Sequence, residues 1–311
     1  MPLTYTWRPA TSARENPKTG SYGDPDEIRR RSTRLVSPRV KALEQIEHWG
    51  AENVAAGVLD REGVIAWGGD EGHEFRWASV TKPVVALAVL VAVEEGVVDL
   101  DEPAGPPGST VRHLLAHASG LPFEGAEPIS EPGVRRIYSN TGFEVLAGHV
   151  EASAEMPFVD YLTRAVFEPL EVQCELRGSA ADGLYGTLLD LLDVDRELLV
   201  PTLVAPETLA EATTVAFPGL TGVLPEFGRM DPNDWGLGVE IRDHKSPHWT
   251  GSRNSPATFG HYGGSGTFLW VDPEAQLALA CLTDREVVGP DVWIKEAWPR
   301  FSDAVLAEAA G

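Results

Sequence analysis

An α+β fold, with one antiparallel sheet drawn from both ends of the chain around a mostly helical insertion, is predicted by three features of these 311 residues. First, two short apolar runs near the start, Val54 to Leu59 and Val64 to Trp67, are joined by Asp60-Arg61-Glu62-Gly63, a good hairpin signal. Second, the last third holds four more strand-like runs: Trp235 to Ile241, Thr258 to Tyr262, Thr267 to Val271 and Leu277 to Leu282. Third, the stretch between carries helical periodicity rather than alternation. Strands flanking a helical middle favour a single sheet closed by both termini.

Taken in order, residues 1–33 are rich in Pro, Gly, Ser, Thr and charge, and read as an arm or loosely ordered lead-in. Arg29-Arg30-Arg31 within it reads as a solvated helix start rather than a binding patch. Ser37 to Trp49 places Val40, Leu43 and Ile46 at helical spacing. After the first hairpin comes the most apolar run, Val84 to Val93, with Gly96 as its stop signal. Ten apolar residues are too few to span a membrane, which takes about 20, and suit a helix buried on every side. Thr110 to His117 is a short helix ended by Ser119-Gly120-Leu121-Pro122. Further helices are expected over Thr141 to Ser153, Phe158 to Phe167, and Leu188 to Leu199 behind a Thr187 cap. Asp272-Pro273-Glu274-Ala275 turns between the last two strands, and Val292 to Ala309 is helical with an interruption at Pro299. The resulting division is a sheet domain from 34–79 and 216–311, with a helical domain over 80–215.

Composition excludes several classes. With 25 Lys and Arg against 47 Asp and Glu, the net charge of −22 argues against phosphate backbones and anionic lipid surfaces, so neither nucleic acid nor membrane is an expected partner. Two cysteines, Cys174 and Cys281, make neither a disulfide framework nor a zinc cluster. Met1 to Pro9 shows no basic segment followed by an apolar one, which leads to the expectation of a cytoplasmic protein.

The chemistry concentrates ahead of the apolar helix. Ser79 falls at its start and Lys82 one turn on, where side chains three apart share a face. The helix N-terminus can stabilise an oxyanion beside the hydroxyl, and an amine in an apolar setting has its pKa lowered and can take the serine proton. The same residues also suit a serine N-cap followed by a solvated lysine. Pro83 is tolerated because it falls in the first turn. Tyr138-Ser139-Asn140 precedes another helix. A tyrosine near an ammonium can have a depressed pKa and serve as general base, and an asparagine can orient lysine and substrate; an aromatic anchor with an N-cap is the alternative. Gly260-His261-Tyr262-Gly263-Gly264-Ser265-Gly266-Thr267 lets a substrate lie along a strand edge with a free N–H for an oxyanion, or marks a bulge. His113 and His117 are spaced as a metal pair but lack the glutamate of H-E-x-x-H, so no metal or cofactor is expected. Trp235, Tyr262 and Trp249 suit an acyl pocket or the core equally.

The ordered set S-x-x-K, Y-x-N and H-x-G resembles the serine β-lactamase and penicillin-binding protein superfamily, nearest the branch with class C enzymes, D-aminopeptidases, D-Ala-D-Ala carboxypeptidases and family VIII esterases. Arg112-His113-Leu114-Leu115-Ala116-His117-Ala118-Ser119-Gly120-Leu121 and Asp234-Trp235-Gly236-Leu237-Gly238 are similar to that branch too, and the likeness runs over about residues 34–309. It implies a β-lactamase/transpeptidase-like fold with the active site between the two domains. Ser79 would be the acyl-accepting nucleophile, Lys82 its proton partner, Tyr138 a general base or acid, and Asn140 a positioner of lysine and substrate. The N–H groups of Ser79 and Gly264 would bind the oxyanion. His261 stands where lysine is usual in β-lactamases of this kind. Histidine is largely neutral near pH 7, so the change removes a fixed cation and favours a small neutral ester over a β-lactam or D-peptide. The substrate expected is thus a small ester or amide.

Overall fold

A computed structural model describes residues 40–287 and 293–309, all within one compact unit that runs from Arg34 to Gly311. The Arg29–Arg31 run and the proposed arm lie outside the described residues. Chain order gives strands β1 (Val54–Leu59), β2 (Val64–Gly69) and β3 (Phe75–Arg76), then helices α1 (Thr81–Glu94), α2 (Val111–Leu115) and α3 (Asn140–Ala154). Next come α4 (Phe158–Leu162), the short strands β4 (Glu175–Leu176) and β5 (Leu184–Gly186), and helices α5 (Leu188–Leu199) and α6 (Pro206–Ala212). The last stretch holds β6 (Gly222–Leu224), β7 (Gly228–Met230), β8 (Glu240–Ile241), β9 (Phe259–Gly263), β10 (Thr267–Asp272), β11 (Leu277–Thr283) and α7 (Ile294–Ala309).

The main sheet is antiparallel, in the order β2-β1-β11-β10-β9-β8. The N-terminal hairpin therefore pairs with the last strand, and both ends of the chain build one sheet as the apolar runs foretold. Every residue of β9, β10 and β11 is buried because helices cover both faces. One face packs with α1 and α5 in a core that includes Leu269, Ala280 and Leu191. The other meets Lys41–His48 and α7 through Trp270, Phe268, Trp298 and Phe301. Strands buried on both sides read as continuous apolar runs, which is why they were legible.

Helix α1 carries no apolar stripe, since it is enclosed on all sides. Pro83 is its third residue, where its missing N–H has no intrahelical partner to lose. Gly96 follows with φ +71°, its N–H donating to Val93 O.

Four expectations change. The helix expected over Ser37 to Trp49 is 3₁₀ over Lys41–His48, and its first three residues lie outside the described ones. The Phe158–Phe167 helix passes through a π turn at Thr163–Phe167. Pro299 lies inside a continuous α7; the buried neighbours Trp298 and Phe301 hold the helix together across the lost hydrogen bond. Of Trp235–Ile241 only Glu240–Ile241 is strand. Gly238 there has φ +84°, and a Cβ would fall 2.2 Å from Ala86 Cβ on α1, so the chain turns tightly to dock on that helix.

Candidate active site

The Ser79 turn is built from three directions. Residues 78–80 form a 3₁₀ turn leading into α1, with Ala78 at φ +47°. Thr267 Oγ1 donates to Trp77 O at 2.8 Å, and Ser265 Oγ donates to Arg76 O at 2.9 Å, so the β9–β10 hairpin grips the segment from behind. Gly263 permits the approach: a Cβ there would sit 2.6 Å from Trp77 O and 3.0 Å from Ala78 Cβ. A Cβ on Gly264 would meet nothing within 4 Å, which leaves that position facing open space.

Lys82 is fully buried, and three oxygens surround its amine: Asn140 Oδ1 at 2.7 Å, Ala181 O at 2.9 Å and Ser79 Oγ at 3.2 Å. Burial brings its pKa down to about 7, against the opposing pull of Asp182 and Glu144. A neutral amine has two N–H bonds and one lone pair. The two shorter contacts take the N–H groups, which leaves the lone pair for the Ser79 hydroxyl proton. Nζ also stands 4.7 Å from the centre of the Tyr138 ring.

Tyr138 departs from expectation. Its hydroxyl hydrogen-bonds Ser79, but burial pushes the phenol above its ordinary pKa rather than below it. Desolvation of the phenolate outweighs the Ser79 hydrogen bond, which pulls the other way, and the Asp182 carboxylate adds to the rise, so this tyrosine stays protonated. The N-cap alternative for the same motif also holds: Ser139 Oγ accepts from Gly142 N at 2.8 Å and donates to Pro122 O at 2.6 Å. That cap aims Asn140, the first residue of α3, at Lys82.

His261 on β9 lies among Trp235 (ring centres 5.4 Å apart) and Tyr138 (5.7 Å). Its Nδ1–H donates to Tyr262 O at 2.7 Å, and Nε2 is buried without a partner among the described residues. Burial and the nearby Lys82 hold its pKa down to about 3, so the ring is neutral. The next residue points to the other side of the strand. Tyr262 packs between Trp249 and Trp298 beneath the sheet, and its hydroxyl donates to Pro225 O at 2.5 Å. It is thus a core residue bracing the β6–β7 hairpin, not part of a pocket wall, and Trp249 is core as well. Trp235 is buried behind Tyr138 and His261.

Two contributors carried no usable sequence signal. Ala181 acts through its carbonyl, which any residue could supply. His117, discounted as half of a metal pair, packs tilted against Tyr138 with ring centres 4.7 Å apart; its Nδ1 accepts the Ser139 N–H at 3.1 Å and its carbonyl accepts the Ile137 N–H at 2.9 Å. His113 is occupied with Thr110 Oγ1 at 2.9 Å. Among the described residues, no group of His, Cys, Asp and Glu could hold a metal ion, and no helix is long and apolar enough to cross a membrane.

A mixed fold with this sheet, Ser79 on the turn that leads into a buried helix carrying Lys82, and a tyrosine and asparagine at the start of a neighbouring helix defines the β-lactamase and penicillin-binding-protein class of architecture. The chain belongs to the Beta-lactamase family, whose model matches residues 41–294. A crystal structure of a beta-lactamase from Mycobacterium bovis superposes with a TM-score of 0.84 at 53% identity, covering 87% of this chain and 100% of that one. Penicillin-binding protein 4* of Bacillus subtilis is 30% identical over 30% of this chain and 28% of that protein. Esterase EstB of Burkholderia gladioli is 42% identical over 22% of this chain and 21% of that protein. The matched segments span less than a third of either of these two curated relatives.

Proposed function

We propose that this protein is a serine hydrolase that works through an acyl-enzyme at Ser79, and that its substrates are small carboxylic esters. The observation that carries this reading is the Lys82 amine: two short contacts spend its N–H groups, and its lone pair is left for Ser79 Oγ at 3.2 Å. Lys82 takes the serine proton as Oγ attacks the ester carbonyl, and backbone N–H groups of Ser79 and Gly264 receive the oxyanion. The protonated Tyr138 gives its hydroxyl proton to the departing alcohol oxygen and is reprotonated from Lys82. Water then attacks the acyl-enzyme with the same groups in reverse, releasing the acid and restoring Ser79.

Neutral His261 supports an ester over a β-lactam, because no fixed cation stands at that position to meet a carboxylate. A second reading, β-lactam or D-amino-acid peptide hydrolysis, draws on the likeness to a beta-lactamase and to a penicillin-binding protein. The separating experiment compares p-nitrophenyl butyrate with nitrocefin under identical conditions. A kcat/KM at least about ten times higher for the ester supports the esterase reading; the reverse order assigns the second.

A further inference from the structure

Beyond Tyr138 opens a cavity of about 620 Å³ whose walls come from the loop before α3 and from the β6–β7 hairpin. Its apolar surface includes Phe123, Ile129 and Val223, which are 50%, 56% and 60% exposed. Such a concave apolar surface beside a reactive group is where a substrate's non-reacting portion binds. Among the described residues, the charged ones lining it are Arg135, Arg136 and Arg229, and no carboxylate lines it. In a chain of net charge −22, that is a local reversal of sign.

The three arginines divide by role. Arg136 is buried and spends its guanidinium on the carbonyls of Ala116, Asn233, Ala216 and Phe217, fixing the segment that carries Tyr138. Arg135 and Arg229 are exposed at the cavity. Arg135 leans on the wall by donating to Ile129 O at 3.2 Å, and Arg229 lies beside Val223, its partner across the hairpin. Neither takes part in an ion pair among the described residues.

We propose that this cavity binds the alcohol portion of the substrate and selects an alcohol that carries an apolar chain and a carboxylate. The chain would lie on Phe123, Ile129 and Val223, and the carboxylate would meet Arg135 and Arg229. This deepens the ester-hydrolase reading and rests on it for the assignment of sides: Tyr138 protonates the leaving oxygen, so the space beyond Tyr138 belongs to the leaving group. The acyl group stays on Ser79 Oγ while the alcohol departs with the proton from Tyr138; water later releases the acid. The anion site is thus separate from His261.

The test uses two esters that leave the same acetyl group on Ser79, 8-acetoxyoctanoate and octyl acetate, with p-nitrophenyl acetate as a check on turnover. The expected ratio of kcat/KM is about 10-fold in favour of the carboxylate, shrinking at high salt and falling to near one in the R135Q/R229Q double variant. A ratio near or below one in the wild type, or one that survives in the double variant, overturns the proposal while p-nitrophenyl acetate turnover leaves the hydrolase reading standing. Binding of 8-hydroxyoctanoate to Ser79→Ala, measured by calorimetry, decides the matter without turnover. The carboxylate should bind about 10-fold more tightly than 1,8-octanediol, with the gap lost in S79A/R135Q/R229Q. Equal binding of the two alcohols overturns the anion site even if no ester is hydrolysed.

Discussion

Lys82 Nζ lies 2.7 Å from Asn140 Oδ1, closer than its 3.2 Å contact with Ser79 Oγ. The amide oxygen holds one N–H of the amine without adding charge, so the amine is positioned yet free to lose a proton. Asn140→Asp keeps the shape and adds an anion, which favours the ammonium and raises the lysine pKa. The variant should lose activity at pH 7, about 10-fold for each unit of pKa increase, and recover part of it at higher pH. A pH–rate profile checks this; an unchanged midpoint would separate Asn140 from the titration of Lys82.

The wild-type profile follows from burial of the amine. Burial lowers the lysine pKa to about 7, and the free base is the working form. Its fraction grows as pH rises, so kcat/KM should climb through a midpoint near 7 and fall about 10-fold per pH unit well below it. Lys82→Arg should be inactive across the range, because a guanidinium does not deprotonate. Appreciable turnover in that variant would take Lys82 out of the proton path.

Tyr138 should act as an acid. Its raised pKa keeps the phenol protonated, so the rate should hold level from about pH 8 to about pH 10 rather than decline with loss of the phenolic proton. Tyr138→Phe should fold and lose roughly 10²–10⁴-fold in kcat. A descending limb near pH 9 that disappears in the phenylalanine variant would show that the tyrosine titrates normally.

His117 clasps Tyr138 from both sides, through Ile137 and Ser139, with its own backbone left-handed at φ +54°. His117→Ala would leave the buried Ser139 N–H unpaired and put alanine in a disfavoured conformation, costing about 1–3 kcal/mol. Asparagine offers an oxygen near the Nδ1 position and tolerates the left-handed region. Thermal melts should therefore rank wild type, Asn and Ala in falling order; equal melting of Asn and Ala would mean that the Ser139 bond contributes nothing.

What the sequence disclosed depended on how local each signal is. Ser79 and Lys82 are one helical turn apart, and the doubly covered strands announce themselves as unbroken apolar runs, so both were legible. Direction of titration was not: the pKa of Tyr138 depends on burial by distant segments, and a pairwise view of lysine and tyrosine pointed the wrong way. Sequence alone leaves Tyr262 between an acyl pocket and the core because one step along β9 exchanges the site for the core, and register is invisible without the partner strand. His117 was discounted as half of a metal pair with His113, but its place beside Tyr138 stayed hidden, because i, i+4 spacing does not show that its own left-handed backbone ends the helix and turns its ring towards Tyr138. The short strands β3 to β7 carry too few residues for any periodicity to register.

The most direct measurement of the central claim is hydrolysis of p-nitrophenyl butyrate by wild type and Ser79→Ala, paired with melting curves and intact-mass spectra. Turnover and a transient butyryl adduct on Ser79 are expected in the wild type, and neither in the variant, with melting temperatures nearly equal because a half-buried hydroxyl contributes little to stability. A folded Ser79→Ala protein that still hydrolyses the ester at the wild-type rate would contradict the acyl-enzyme mechanism.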